Sequence, residues 1–247
     1  MLYITLPVVD LRKEPKNPAQ DFSHDDLRDS QLLYGEEISI EKQEGEWLKI
    51  RATEQFDYPG WIHESEATEL PKRNVTHVVC SLMTPLNGQM LSYGTELTQE
   101  EARRVDPTAI RPIPSKVDPI LLIEEAKLFL GAPYLWGGRC APLPGKAASV
   151  DCSGLINLLY RAQGIHILRD AHDQFLAGQH SDPNPGTPIY LRKNDRFTHV
   201  VIYLTQNLCL QSPETGRSVQ LSPLFYKDQK IHIEGREPAH FAFKKFI

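Results

Sequence analysis

The sequence contains no C-x-x-C pair, no dense cluster of lysine and arginine, and no apolar run of membrane-spanning length. Each absence excludes a class. Four cysteines, Cys80, Cys140, Cys152 and Cys209, lie too far apart for a disulfide framework or a zinc cluster, so a reducing compartment and no metal or cofactor are expected. A formal charge of −5 without a basic patch argues against nucleic acid or an anionic membrane surface as partner, leaving a small soluble substrate. The opening MLYITLPVVDLRK has no basic leader and its apolar run stops at Asp10, unlike a secretory signal, so a cytoplasmic location is expected. Cys80 and Cys209 fall in apolar, strand-like runs and read as small core residues, whereas Cys140 lies in a loop and has no assigned role.

At 247 residues the chain is long enough for one large domain or two to three small ones. Between residues 20 and 70, short alternating runs (GEEISIEK, EWLKIRA, GWIHE) are separated by turn signals at Glu44-Gly45 and at Asp57-Tyr58-Pro59-Gly60, predicting a small β-barrel over 1–72. A weaker β rhythm with an Asn87-Gly88 turn predicts a second, degenerate unit over 73–104. Residues 105–118 read as a linker, since Pro107, Pro112 and Pro114, with Pro119 just beyond, bar a helix interior and a central strand. Beyond it, a helix over Pro119–Leu130, a glycine-rich turn, a second helix and the strands IYLRK, HVVIYL and LCLQS predict an α+β domain over 119–247.

That second helix opens with a thiol its packing does not need. In SVDCSGLINLLYRAQG, Leu155, Ile156, Leu159 and Tyr160 supply the apolar face and Gly164 the stop, while Cys152 sits in the first turn after a capping Asp151. A thiol of ordinary pKa, about 8.5, is only a few per cent ionised at neutral pH, so a nucleophile here needs the helix N-terminus and an imidazolium to lower it. Asp151 acts the other way. The same terminal N–H groups, including that of Cys152, can receive an oxyanion.

Among nine histidines, His199 begins the strand HVVIYL, where a sheet end can aim it at a helix terminus. Hairpin parity then bears on Gln211: a two-residue loop puts the two on opposite faces, an odd loop such as Thr205-Gln206-Asn207 puts them on one. There the Gln211 carbonyl would fix the ring.

PYLWGG (133–138), DCSGL (151–155), THVVIYL (198–204) and LQS (210–212) resemble, in order and spacing, the motif series of the NlpC-type peptidoglycan cysteine peptidases. The resemblance implies a papain-like catalytic domain with Cys152 as nucleophile, His199 as base and Gln211 orienting it, where the family more usually has a histidine. It also implies that Tyr134 assists the oxyanion site, and the insertion RCAPLPGKAAS is longer than usual. The first barrel, through SQLLYGE, EWLKI and YPGW, resembles a bacterial SH3 domain, and the unit after it resembles the second such domain of the cytoplasmic recycling branch. That branch cuts the γ-D-glutamyl bond to the diamino acid in stem peptides with a free N-terminal L-alanine. By the same resemblance Asp151, Ser153 and Tyr58 would hold the amine, with Trp136, Arg169 and Asp170 lining the cleft; helix capping for Asp151, and a solvated pair for Arg169 and Asp170, are the alternatives. Acyl transfer, or an idle wall-fragment binding module, are the competing functions.

Overall fold

The computed structural model describes residues 1–18 and 25–246; positions 19–24 of the expected 1–72 unit, and residue 247, lie outside the described residues. Seven strands form the first sheet: β1 (Leu2–Ile4), β2 (Val8–Arg12), β3 (Arg28–Leu33), β4 (Glu37–Glu44), β5 (Trp47–Ala52), β6 (Tyr58–His63) and β7 (Ala67–Glu69), in the order β3-β2-β6-β5-β4-β1-β7. Alternating residues Val9 and Leu11, Leu48 and Ile50, with Ile4, Leu32 and Ile62, close its core. The apolar opening segment is thus strand. The second turn lies elsewhere than expected. The chain reverses through a 3-10 turn at Thr53–Gln55 and two left-handed residues, Phe56 and Asp57, and Pro59 and Gly60 lie inside β6. A Cβ on Gly60 would stand 2.4 Å from the Leu11 side chain, so this glycine permits close strand packing rather than a turn.

The second unit consists of β8 (Val75–Val79), β9 (Met83–Leu86), β10 (Gln89–Ser92), β11 (Glu96–Thr98), helix α1 (Gln99–Ala102) and β12 (Ile110–Pro112). Asn87 and Gly88 both take positive φ and turn β9 into β10. The expected linker is shorter than its prolines suggested. Val105 and Ala109 are core residues of this unit, Pro107–Ala109 is a 3-10 turn, and β12 pairs with β8 at a sheet edge, where a proline breaks no ladder. Only residues 113–118 connect to the next element.

Helix α2 (Pro119–Lys127), capped by Asp118, leads to α3 (Cys152–Ala162) and α4 (Ala171–Ala177). They accompany an antiparallel sheet of β13 (Gln179–His180), β14 (Pro188–Lys193), β15 (Arg196–Thr205), β16 (Leu208–Gln211), β17 (Gln220–Lys227), β18 (Lys230–Ile233) and β19 (His240–Lys245), in the order β13-β19-β14-β15-β16-β17-β18. Leu155, Leu158 and Leu159 of α3 share one core with Val200 and Ile202 of β15; Val201, Tyr203 and Cys209 belong to a second core with Leu224 and Ile231. α3 thus covers one face of the sheet and is buried along its length, while the apolar residues of the other face cluster among the sheet's own strands.

Buried ion pairs join the three units. Arg139 reaches Glu36 of the first sheet at 2.7 Å, while Arg161 of α3 holds Glu54 at 2.6 Å and Glu96 of β11 at 3.0 Å. Breaking one member of such a pair leaves a buried charge uncompensated, which costs about 3–5 kcal/mol. The first sheet is thereby held as a fixed wall against α3. Among the described residues no helix is long and apolar enough to cross a membrane.

Candidate active site

Cys152 is the first residue of α3, and close approach around it explains the neighbouring glycines. Asp151 N–H donates to Gly138 O at 3.0 Å, and a Cβ on Gly154 would fall 2.0 Å from that same oxygen. A Cβ on Gly137 would likewise meet the Arg28 backbone at 2.8 Å, so the W-G-G turn lies directly on the first sheet. Asp151 caps the helix, its Oδ1 accepting from Gly154 N–H at 2.7 Å.

Two expected roles are corrected here. Arg169 does not line the cleft: it is buried and donates to Asp151 Oδ2 (2.6 Å), Asp151 Oδ1 (3.2 Å), Ser153 Oγ (2.9 Å), Gly138 O (3.4 Å) and Ser30 Oγ of β3 (2.9 Å). Its donors are fully committed within the protein. Asp151 in turn is already paired with that fork and caps the helix through Oδ1, so on the cavity wall it stands as a carboxylate shared with Arg169 rather than an open one.

The open carboxylate is Asp170. It occupies the N-cap position of α4 yet makes no capping hydrogen bond, accepting instead from Tyr58 Oη of the first sheet at 3.1 Å. Burial raises its carboxyl above the usual range by more than the Arg169 charge and the Tyr58 hydrogen bond restore. A cation is what such a group lacks. Asp29 of β3, Asp151, Asp170, Trp136, Tyr134 and Cys152 border one cavity of about 300 Å³, with Arg196 also on its wall. Sequence reasoning missed Asp29, which lies on the strand between the buried Arg28 and Ser30 and has no motif of its own. Tyr134 lies beside the thiol. Burial, then the charges of Cys152 and Asp151, raise its phenol, keeping it a hydrogen-bond donor.

The loop between β15 and β16 is two residues long, Gln206 and Asn207, and not the expected three. Parity is restored by a bulge between Tyr203 and Thr205: Ile202 pairs with Leu210 and Tyr203 with Cys209, so Gln211 falls diagonally from His199 on the same face. The two meet at 2.9 Å, His199 Nε2 to Gln211 Oε1. Their orientation follows from a residue that no sequence signal marked, Arg236 in the turn after β18. Its Nε donates to Gln211 Oε1 at 3.1 Å. Because a guanidinium only donates, the glutamine atom facing it is oxygen, His199 Nε2 therefore carries hydrogen, and Nδ1 is the acceptor. Arg236 Nη2 donates to that Nδ1 at 3.1 Å.

The thiol departs from expectation. Burial, then the Asp151 charge, pushes Cys152 up to about 11, against the smaller opposing pull of the Val200 N–H. Burial, then the Arg236 charge, presses His199 down to about 3. The capping carboxylate offsets the helix terminus, and the resting pair is a neutral thiol and a neutral imidazole. Among the described residues no hydrogen bond joins Cys152 to His199; Thr198 borders the Cys152 cavity, and His199 lies between it and Val200. Of the other cysteines, Cys140 and Cys209 are buried and each pushed up to about 12, chiefly by burial, while Cys80 is half-buried; all four are unpaired. Cys140 is thus a core residue despite its loop.

A thiol at a buried helix terminus, an imidazole oriented by an amide, and a sheet packed on that helix define a cysteine-peptidase-type hydrolase with a papain-like fold. Comparison with known proteins places a family match on the catalytic domain: residues 131–234 match the model of the NlpC/P60 family. The chain is similar to the gamma-D-glutamyl-L-lysine dipeptidyl-peptidases of Bacillus subtilis (25% identical, over 81% of this chain and 77% of the relative) and Bacillus cereus (27%, over 79% and 70%). A solved NlpC/P60 family protein from Bacillus cereus shares the fold across 97% of this chain and 98% of its own, with a TM-score of 0.77 at 20% identity.

Proposed function

We propose that the protein is an endopeptidase hydrolysing the γ-D-glutamyl bond to the diamino acid, diaminopimelate or lysine, in peptidoglycan stem peptides whose N-terminal L-alanine is free. The observation that carries this reading is Asp170, an under-neutralised carboxylate held by Tyr58 of the first sheet in the same cavity as Cys152. An ammonium seated there satisfies it. The relatives' name supports the choice of bond.

In the reaction, Cys152 Sγ attacks the amide carbon as its proton passes to His199 Nδ1. The oxyanion is received by the Cys152 backbone N–H and Tyr134 Oη. Collapse breaks the C–N bond and the amine leaves with the proton from His199, giving a thioester. Water then attacks, His199 takes its proton and returns it to sulfur, and the carboxylic product departs. Ser153, whose hydroxyl lies 3.2 Å from Asp151 Oδ1, and Trp136 border the acyl portion.

In this reading the two N-terminal β units are bacterial SH3-like domains, and the first works as a wall that admits short free-amine peptides and excludes cross-linked wall. A cytoplasmic location belongs with it and is tested by cell fractionation. The reading itself is tested by incubating the protein with L-Ala-γ-D-Glu-diaminopimelate and its N-acetylated form, with mass detection of products. The free peptide is expected to be cut at the γ-glutamyl bond and the acetylated one at least about a hundredfold more slowly, the scale of a buried charge left unpaired. Equal rates, or no cleavage of either, would contradict it.

A further inference from the structure

Arg236 is an anomaly among the guanidinium groups around the site. Arg139, Arg161 and Arg169 each pair with a carboxylate, whereas Arg236, half-buried, has none within ion-pair distance among the described residues. Its hydrogen-bond partners are neutral acceptors: Gln211 Oε1 at 3.1 Å, Pro213 O at 2.6 Å and His199 Nδ1 at 3.1 Å. Nδ1 is the lone pair that must take the thiol proton, so in this arrangement the base is occupied. Burial lowers Arg236 from its ordinary value, as expected of a cation missing its anion. It stands on the wall of a cavity of about 560 Å³ on the His199 side, with Arg192 and Lys193; Glu214 and Glu237 also line it, and Glu214 lies 3.5 Å from Arg217.

We infer that Arg236 reads a free α-carboxylate on the leaving-group residue, and that its turn toward that carboxylate frees His199 Nδ1 to accept the Cys152 proton. The inference rests on the reading above only in placing the acyl portion on the Asp170 side, which puts the leaving amine on the side of His199. In an amino-acid leaving group the α-carboxylate is separated from the scissile nitrogen by one carbon, so a seated substrate carries its anion to this wall. A guanidinium exchanging a neutral nitrogen for a carboxylate gains a charge-assisted, two-pronged hydrogen bond. Arg236 Nε can keep its bond to Gln211 meanwhile, preserving the orientation of the imidazole. Substrate binding and activation of the base are then one event.

The test compares L-Ala-γ-D-Glu-L-Lys bearing a free C-terminal carboxylate with its C-terminal amide, in wild type, Arg236→Met and Arg236→Lys. Wild type is expected to favour the acid by about tenfold or more in kcat/KM, Arg236→Met to bring the ratio near one through loss on the acid, and Arg236→Lys to keep a partial preference. An undiminished acid preference in Arg236→Met overturns the inference, as does equal loss on both peptides, which would make Arg236 a positioning residue for Gln211 alone. Alkylation of Cys152 by neutral iodoacetamide at pH 7 needs no substrate, and so separates this inference from the choice of bond. Arg236→Met is expected to react about tenfold faster than wild type; a rate equal to or below wild type's would show that Arg236 does not restrain the base.

Discussion

The cavity bordered by Cys152, about 300 Å³, is lined by Asp29, Asp151 and Asp170 with one arginine, Arg196; the cavity bordered by His199, about 560 Å³, is lined by Arg192, Lys193 and Arg236 with Glu214 and Glu237. The two sides differ in construction as well as sign. The acidic side is assembled over long sequence distances: Tyr58 meets Asp170, and Arg169 meets Ser30, through contacts between the first sheet and the catalytic domain. The basic side is local, made by the β14–β15 hairpin and the turn between β18 and β19. On the proposed reading, specificity for the amine end is therefore tied to the stability of the whole chain, whereas recognition of the leaving group depends on one turn. A dipolar cleft also orders a substrate with an ammonium at one end and a carboxylate at the other, since the reverse orientation puts like charges together.

The comparison breaks most severely when the imidazole on the wall of the second cavity is removed. His199→Ala should lower kcat by about three orders of magnitude at unchanged fold, the scale of general acid–base catalysis, measured with the free peptide and checked by circular dichroism. Retention of normal turnover would remove His199 from the mechanism. On the acidic side, Arg169→Met leaves the Asp151 carboxylate buried without its cation and should lower stability by about 3–5 kcal/mol in urea titration. A loss below about 1 kcal/mol would show that the fork does not join the units.

A smaller effect sharpens the difference between the sides. His199 is pressed to about 3 in the folded chain against 6.5 for the ordinary imidazole, so the unfolded chain binds more protons between those values. The neutral imidazole's contribution is complete above pH 6.5 and is lost as pH falls toward 3. By pH 4.5 this should amount to about 1–3 kcal/mol. His199→Gln should flatten the melting temperature against pH across that window, and a variant profile parallel to wild type would contradict the depressed imidazole. Glu96 titrates lower: burial opposes it, but the Arg161 charge and the His166 hydrogen bond hold it down to about 2, so its contribution is complete above 4.5 and is lost only as pH falls from there toward 2.

What the sequence carried, and what it did not, follows from the range of the forces involved. Asn87-Gly88 announces its turn because the positive φ values are a property of two residues. DCSGL and the apolar spacing of α3 are equally local. The parity of His199 and Gln211 was reachable, but its cause was not: the odd residue is a bulge inside β15, set by sheet geometry, and the loop itself is two residues. Pro59-Gly60 reads as a turn until the Leu11 side chain is seen pressing on Gly60 from another strand. Arg169 and Asp170 are adjacent in sequence and opposite in role, one buried behind Asp151 and one facing the cavity, a distinction made only by Ser30 and Tyr58 arriving from the first sheet. Arg236 lies just beyond the matched family span, in a turn without periodicity. The raised thiol escaped for a similar reason: helix position and the opposing Asp151 charge were legible, while the depth of burial was not.

The central claim is that the Asp170–Tyr58 pair reads the substrate's free amine, and a coupling measurement tests it most directly. The kcat/KM of L-Ala-γ-D-Glu-diaminopimelate and its N-acetylated form would be compared in wild type and in Asp170→Asn. Acetylation is predicted to cost wild type about a hundredfold and the variant less than about threefold, because the same charge pair has already been removed. An equal acetylation penalty in both proteins would show that the ammonium is bound elsewhere and that Asp170 serves only to hold Tyr58 and the first sheet in place.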